Sequence, residues 1–360
     1  MFKSIIYTII TLFFFYSCLN AQVQIPKNII LFIGDGMGPA QVTTLTTVKN
    51  PSNMERFKVG GLLKTHSADK YVTDSAAGAT AYATGYKTNN KFVSVSPGSQ
   101  PLKTIFEYAE EIGKSTGVVV TCEFTHATPA CFVAHSDSRY KYHEIASQFV
   151  HSDIDVIMGG AKGMSPKDQK EYITDKDDDY LYRELQQKMT IVTDSSEFRA
   201  IKDVDKLAFF YDPQVPGPFD ERPLSLREMT EKAIEILSKN ASGFILMVEG
   251  SQIDWAAHDN EIDTLIGEIK DFDEAIGAGL DFAKKDKETL IIVTADHETG
   301  GLSLRDGSTN DKKILDVNFA YTHHTAVMVP VFAFGPQAEI FGGIHQNNFV
   351  GQKMIDFNKK

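Results

Sequence analysis

Six short segments of this 360-residue chain carry residue types that bind metal ions or move phosphoryl groups. Gly34-Asp35-Gly36-Met37-Gly38 follows the apolar run Asn28 to Ile33, setting one carboxylate among glycines that let backbone and a metal ion approach closely. In Thr73-Asp74-Ser75-Ala76-Ala77 a serine precedes small, helix-compatible residues. Ser75 thus falls at a helix N-terminus, where backbone N–H groups favour an alkoxide or a phosphate. His126-Ala127-Thr128-Pro129 follows the run Gly117 to Thr121, with Arg139 beyond it. A threonine hydroxyl suits a hard ion such as magnesium, and arginine offers phosphate a two-pronged fork. Glu249 ends a further apolar run and is followed by Asp254 and His258, whose four-residue spacing places them on one helix face, able to share a zinc ion. Asp296-His297 closes another run, and His323-His324-Thr325 precedes the last. Taken singly, each segment also fits a helix cap, a surface pair or an exposed charge. Taken together, Asp35, Glu249, Asp254 and Asp296 would repel one another at one sheet edge unless cations lay between them.

Other chemistries lack their residues. The glycines at 34 to 38 do not have dinucleotide-binding spacing, and Gly113-Lys114-Ser115 has Tyr108 where a phosphate loop needs its leading glycine. Ser75 is not set in a Gly-x-Ser-x-Gly elbow, which disfavours acyl transfer. Neither Cys122 nor Cys131 begins a Cys-x-Pro-x-Arg sequence of the kind a sulfatase uses.

The elements that must position these residues alternate along the chain. Asn28 to Ile33, Gly117 to Thr121, Ile154 to Met158, Leu207 to Tyr211, Phe244 to Val248, Leu290 to Thr294 and Val327 to Phe334 are short, continuous apolar runs of the kind found in doubly covered parallel sheets. Between them lie helical patterns, the longest marked by Ile262, Leu265, Ile269, Phe272, Ile276, Leu280 and Ala283. The expected architecture is α/β, a three-layer sandwich with a central, mostly parallel sheet and helices on both faces. Residues from about Met164 to Glu197 are charged and weakly periodic, and read as a peripheral excursion. Within it Asp175, Asp177 and Asp179 mimic the start of a calcium loop. Tyr180 and Gln186 stand where glycine and glutamate are needed, so a solvated acidic loop is expected.

Lysine and arginine number 36 against 48 acidic residues, a formal charge of −12, which argues against a nucleic-acid surface or a polybasic membrane surface. Lys3, the apolar run Ile5 to Tyr16 and Ser17 to Ala21 have the order of a secretory signal, with cleavage expected after Ala21. Export to the periplasm or beyond follows, with residues 22–360 as one domain and no transmembrane segment in the mature chain. A lipoprotein attached through Cys18 is the competing form. Cys122 and Cys131 read as small buried apolar side chains, although an oxidising compartment would allow them to pair.

The order and spacing of the six motifs resemble the alkaline phosphatase family over nearly the whole mature chain. That resemblance implies hydrolysis of phosphate monoesters by two zinc ions and one magnesium ion, through a phosphoserine on Ser75. Position by position it makes Arg139 the phosphate clamp, with Asp74 holding it. It assigns Asp254, His258 and His324 to the first zinc, and Asp35, Asp296 and His297 to the second. Asp35, Thr128 and Glu249 fall to magnesium, with His323 as the alternative to His324. It also implies a homodimer. Three positions depart from the family pattern. His126 stands where many bacterial relatives have aspartate, and Trp255 stands where they have lysine, both beside the substrate phosphate. Thr299 replaces a histidine that supports a zinc-ligating aspartate. Weaker magnesium affinity or partial zinc occupancy at the third site, and easier phosphate release, are the expected results. Only about twenty residues separate Gly301 from His324, leaving little room for an inserted surface domain. A phosphodiesterase or phosphomutase of the same superfamily, or a secreted phosphate-binding protein without turnover, are the alternatives.

Overall fold

Ten strands of the computed structural model, which describes residues 24–164, 180–211 and 216–359, form one twisted sheet. In chain order the strands are β1 (Asn28–Gly34), β2 (Val59–Lys64), β3 (Ser115–Glu123), β4 (Val156–Gly160), β5 (Thr190–Val192), β6 (Leu207–Tyr211), β7 (Phe244–Gly250), β8 (Thr289–Thr294), β9 (Glu298–Thr299), β10 (Leu302–Ser308), β11 (Lys313–Phe319), β12 (His324–Thr325), β13 (Val329–Phe334) and β14 (Gly343–Gln346). The large sheet runs β14-β2-β13-β8-β1-β7-β3-β4-β6-β5, while β10 pairs with β11 and β12 with β9. All pairings from β8 to β5 are parallel, and β13 lies antiparallel between β8 and β2.

Every residue of β1, β4, β6, β7 and β8 is buried, which explains their unbroken apolar sequence: helices cover both faces, leaving no solvent side for alternation. On one side the long helix Ile262–Asp286 packs with Leu226–Leu237, and on the other Ser75–Thr84 packs with Ala127–Val133 and Asn348–Asp356. The long helix turns Leu265, Ile269, Phe272, Ile276 and Leu280 inward at spacings of three and four, all at 0% exposure. Gly279 lets it sit close on β1, because a Cβ there would lie 2.8 Å from the Phe32 ring.

Two departures from the sequence reading are local. The excursion between Met164 and Glu197 contributes β5, which pairs with β6 and so extends the sheet. Asp175, Asp177 and Asp179 lie outside the described residues, as do residues 1–21 with Cys18. The strand expected over Ile154 to Met158 sits two residues later, at Val156–Gly160, because Asp155 turns to accept a hydrogen bond from the Thr116 N–H at 3.0 Å. Between Gly301 and His324 stands a two-stranded hairpin, β10 and β11.

Candidate active site

The four strands at the middle of the sheet, β8-β1-β7-β3, end together, and their register brings the chemistry to one edge. Ile33 of β1 is level with Glu249 of β7 and with Thr294 of β8, and Glu249 is level with Val120 of β3. Asp35 follows β1, Asp296 and His297 follow β8, and Asp254 and His258 lie one turn beyond β7 on the short helix Gln252–His258. Gly36 makes the crowding possible: it has φ +71°, and a Cβ there would lie 2.8 Å from Thr299 Oγ1 and 2.9 Å from Asp254 Cα.

Two groups of candidate ligands meet around His297. Its Nε2 is 3.4 Å from Asp35 Oδ1 and 3.2 Å from Asp296 Oδ2. Asp254, His297 and His324 form the second group, each offering a ligand atom within 4.8 Å of the others. His258 joins it, with Nε2 3.3 Å from Asp254 Oδ2 and 3.2 Å from His324 Nε2. The rings of His297 and His324 stack at 3.5 Å, 19° from parallel. Backbone carbonyls fix the histidines from behind: His258 Nδ1 donates to Thr322 O at 2.6 Å and His324 Nδ1 to Thr73 O at 3.0 Å, which leaves both Nε2 atoms as metal-capable lone pairs. His323 is exposed and its ring lies 6.0 Å from that of His258, outside this group.

Ser75 is the first residue of its helix, capped by Asp74, whose side chain accepts from the Ala77 N–H at 3.0 Å. Ser75 Oγ lies 3.3 Å from His297 Nε2. Asp74 also accepts from Arg139 Nη1 at 3.2 Å, while Arg139 Nη2 lies 3.1 Å from His126 Nε2. Trp255 meets the His126 ring edge-on, with centroids 6.1 Å apart. Thr128 and Glu249, both at 0% exposure, complete the cluster on the β3 side.

Both oxygens of Asp35, Oδ2 of Asp296, Oε1 of Glu249 and Oγ1 of Thr128 are buried without any hydrogen-bond partner among the described residues. Each such atom costs about 1–3 kcal/mol when left bare, so this concentration of them is a cradle for cations. Burial, then the charges of Asp296, Asp254 and Glu249, holds the Asp35 carboxyl well above the usual carboxylate range. Burial pushes Glu249 up to about 8. Burial also opposes ionisation of Asp254, but its hydrogen bond to His258 and the neighbouring histidines outweigh it and hold the carboxyl low. The same hydrogen bond pushes His258 up to about 9. Burial and then His297 push His324 down to about 4, and burial and then Arg139 push His126 down to about 3.

A family model described as alkaline phosphatase matches residues 26–316. The chain belongs to the alkaline phosphatase family. Alkaline phosphatase 3 of Bacillus subtilis (strain 168) is 40% identical over 93% of this chain and 90% of its own length, and alkaline phosphatase 4 of the same organism is 39% identical over 79% and 64% respectively. The alkaline phosphatase of the Antarctic bacterium TAB5 superposes with TM-score 0.84 at 39% identity, covering 94% of this chain and 99% of that one. A variant of that enzyme, with a histidine replaced by glutamate, has magnesium bound in its M3 site; it superposes at 0.83 with the same identity and coverage. These relatives bear out the family resemblance and the α/β architecture with its large, mostly parallel sheet.

Three contacts at this alkaline phosphatase site go beyond the sequence reading, which marks Thr299 as a departure from the family pattern but gives Lys162 and Cys122 no part in the site. Thr299 Oγ1 is hydrogen-bonded to Asp254 Oδ1 and lies 3.2 Å from His297 Nδ1, spanning the two ligand groups. Lys162, 3.3 Å from Glu123, adds positive charge near His126. Cys122 is free, as is Cys131, but it is more than apolar filling: its Sγ faces Glu249 Oε2 at 3.5 Å. The first signal was a replacement at one position; the other two arise only from strand register.

Proposed function

We propose that this chain hydrolyses phosphate monoesters to an alcohol and inorganic phosphate, with Ser75 as the transient phosphoryl acceptor. The observation that carries this reading is the position of Ser75 Oγ, 3.3 Å from His297 Nε2, where two carboxylate–histidine groups and a held arginine converge. Asp254, His258 and His324 suit one zinc ion, and Asp35, Asp296 and His297 suit a second. Thr128 and Glu249 with Asp35 suit magnesium. When bound, such ions lower the pKa of coordinated oxygens and neutralise charge on the entering and leaving oxygens.

The protein's own groups do the positioning. Asp74 anchors one arm of Arg139, so that the guanidinium offers its remaining donors to two phosphate oxygens with little orientational entropy left to lose. The first turn of the Ser75 helix directs unpaired backbone N–H groups towards the same oxygens. Ser75 Oγ attacks phosphorus in line, the ester P–O bond breaks and the alcohol departs with a proton. Water then attacks the phosphoserine from the vacated side, the Oγ–P bond breaks, and Ser75 recovers its proton. No pocket built for a particular alcohol is required, which supports broad monoester specificity. Residues 1–21 complete the reading as an export signal, and the subunit is read as a homodimer.

An aryl phosphate assayed at alkaline pH tests this. The parent should lose activity in chelator and recover it with zinc plus magnesium, and Ser75→Ala should lower kcat/KM by about a thousandfold or more. Chelator-insensitive turnover, or full activity in Ser75→Ala, would refute it.

A further inference from the structure

Cys122 lies at the C-terminal end of β3, fully buried, and the reaction just described does not use it. Its Sγ, a ring nitrogen of His126 and a carboxylate oxygen of Glu249 lie within 4.8 Å of one another. Around them Glu249 Oε1, Thr128 Oγ1 and His126 Nδ1 are buried without hydrogen-bond partners among the described residues. The pocket therefore holds two overlapping donor sets. Thr128, Glu249 and Asp35 offer only oxygen, which suits a hard ion such as magnesium. Cys122 and His126 add sulfur and nitrogen to the same Glu249, a combination that favours zinc and its borderline-soft neighbours.

We propose that the third metal pocket is a two-way site, in which Cys122 provides a thiolate ligand, with His126 and Glu249, to a zinc-class ion that competes with magnesium on the oxygen set. This rests on the reading of the protein as a three-metal phosphatase. Binding forms the sulfur–metal bond and releases the thiol proton to water. His126 ties the choice of ion to the phosphate clamp. While its Nε2 accepts from Arg139 Nη2, at 3.1 Å, a neutral imidazole carries its hydrogen on Nδ1. Ligation through Nδ1, the ring nitrogen with no other partner, moves that hydrogen to Nε2 and ends the bond to Arg139. Asp74 alone then holds the guanidinium.

Cobalt(II) reports thiolate ligation by a near-ultraviolet charge-transfer band that needs no substrate. Metal-free protein reloaded with cobalt should develop the band, and Cys122→Ala and Cys122→Ser should each abolish it while Cys131→Ala keeps it. Competition dialysis of the two Cys122 variants should shift zinc against magnesium retention at least tenfold towards magnesium. X-ray absorption of the zinc-loaded parent should show a sulfur neighbour at about 2.3 Å, a readout that survives poor folding of any variant. A parent without band or sulfur neighbour, a band that persists in Cys122→Ala, or an unchanged metal ratio in both Cys122 variants would overturn the proposal. Failure of the parent to hydrolyse an aryl phosphate would instead overturn the functional reading, since the band is measured without turnover.

Discussion

Thr299 shows how much one hydroxyl can organise. If His297 Nδ1–H donates to Thr299 Oγ1 and the threonine donates to Asp254, both contacts are satisfied, and the tautomer leaves His297 Nε2 as a lone pair facing Asp35, Asp296 and Ser75. Thr299→Val keeps the shape and removes the relay. It should retain zinc about 10–100 times less well against a chelator, with an unchanged circular dichroism spectrum. Unaltered retention would show that the hydroxyl is incidental. The side chains gathered here were legible wherever a strand end and its sequel were contiguous, as at Asp35, at Asp296-His297 and from Glu249 to His258. Cys122 was not legible in this way. Its partner Glu249 lies 127 residues away on a neighbouring strand, and only the pairing of β3 with β7 reveals that a small buried residue has a carboxylate beside it.

Strand ends set the geometry through the turns that follow them, and Gly36 forms the turn wedged between Thr299 and Asp254. Gly36→Ala must hold a side chain at φ +71° and push against Thr299 and the Asp254 backbone at once. A loss of about 2 kcal/mol or more in denaturant unfolding is expected, together with lower activity, because the displaced backbone belongs to a proposed ligand. An unchanged midpoint would mean that the turn yields freely. The same physics governs which strands could be read from sequence. The seven expected runs all correspond to largely buried strands, with ends displaced by up to two residues, since continuous apolar sequence is what double coverage demands. The strands β2 and β14, with sequences VGGLLK and GIHQ, escaped because they are short, glycine-containing and partly exposed, and β5 escaped inside a charged segment. The pairing of β2 is decided by β13 and β14, which lie far away along the chain.

Across the whole molecule, the excess of acidic residues looks different once four of them are gathered at one edge. The formal charge of −12 argues against a polyanion-binding surface, yet Asp35, Glu249, Asp254 and Asp296 together form a place for cations. Removing those cations should expose a pH dependence. In the metal-free protein Glu249 is raised from 4.5 to about 8 and His258 from 6.5 to about 9, so the folded state binds more protons than the unfolded one between pH 6.5 and about 8. Stability from these groups is present below their unfolded values and is lost as the pH rises through the folded ones. The Tm of chelator-treated protein should therefore fall across that interval, while metal-loaded protein stays nearly level. Parallel curves would disprove the assignment of these groups to metal. The strand that leads into Asp35 also has a place in time. β1 pairs only with β7 and β8, and even its nearest partner there lies 216 residues further along the chain. At ribosomal speeds of about 5–20 residues per second, that partner is made roughly 10–40 s later. The first piece of the site to be synthesised must wait, largely apolar and unpaired, until most of the chain has followed it.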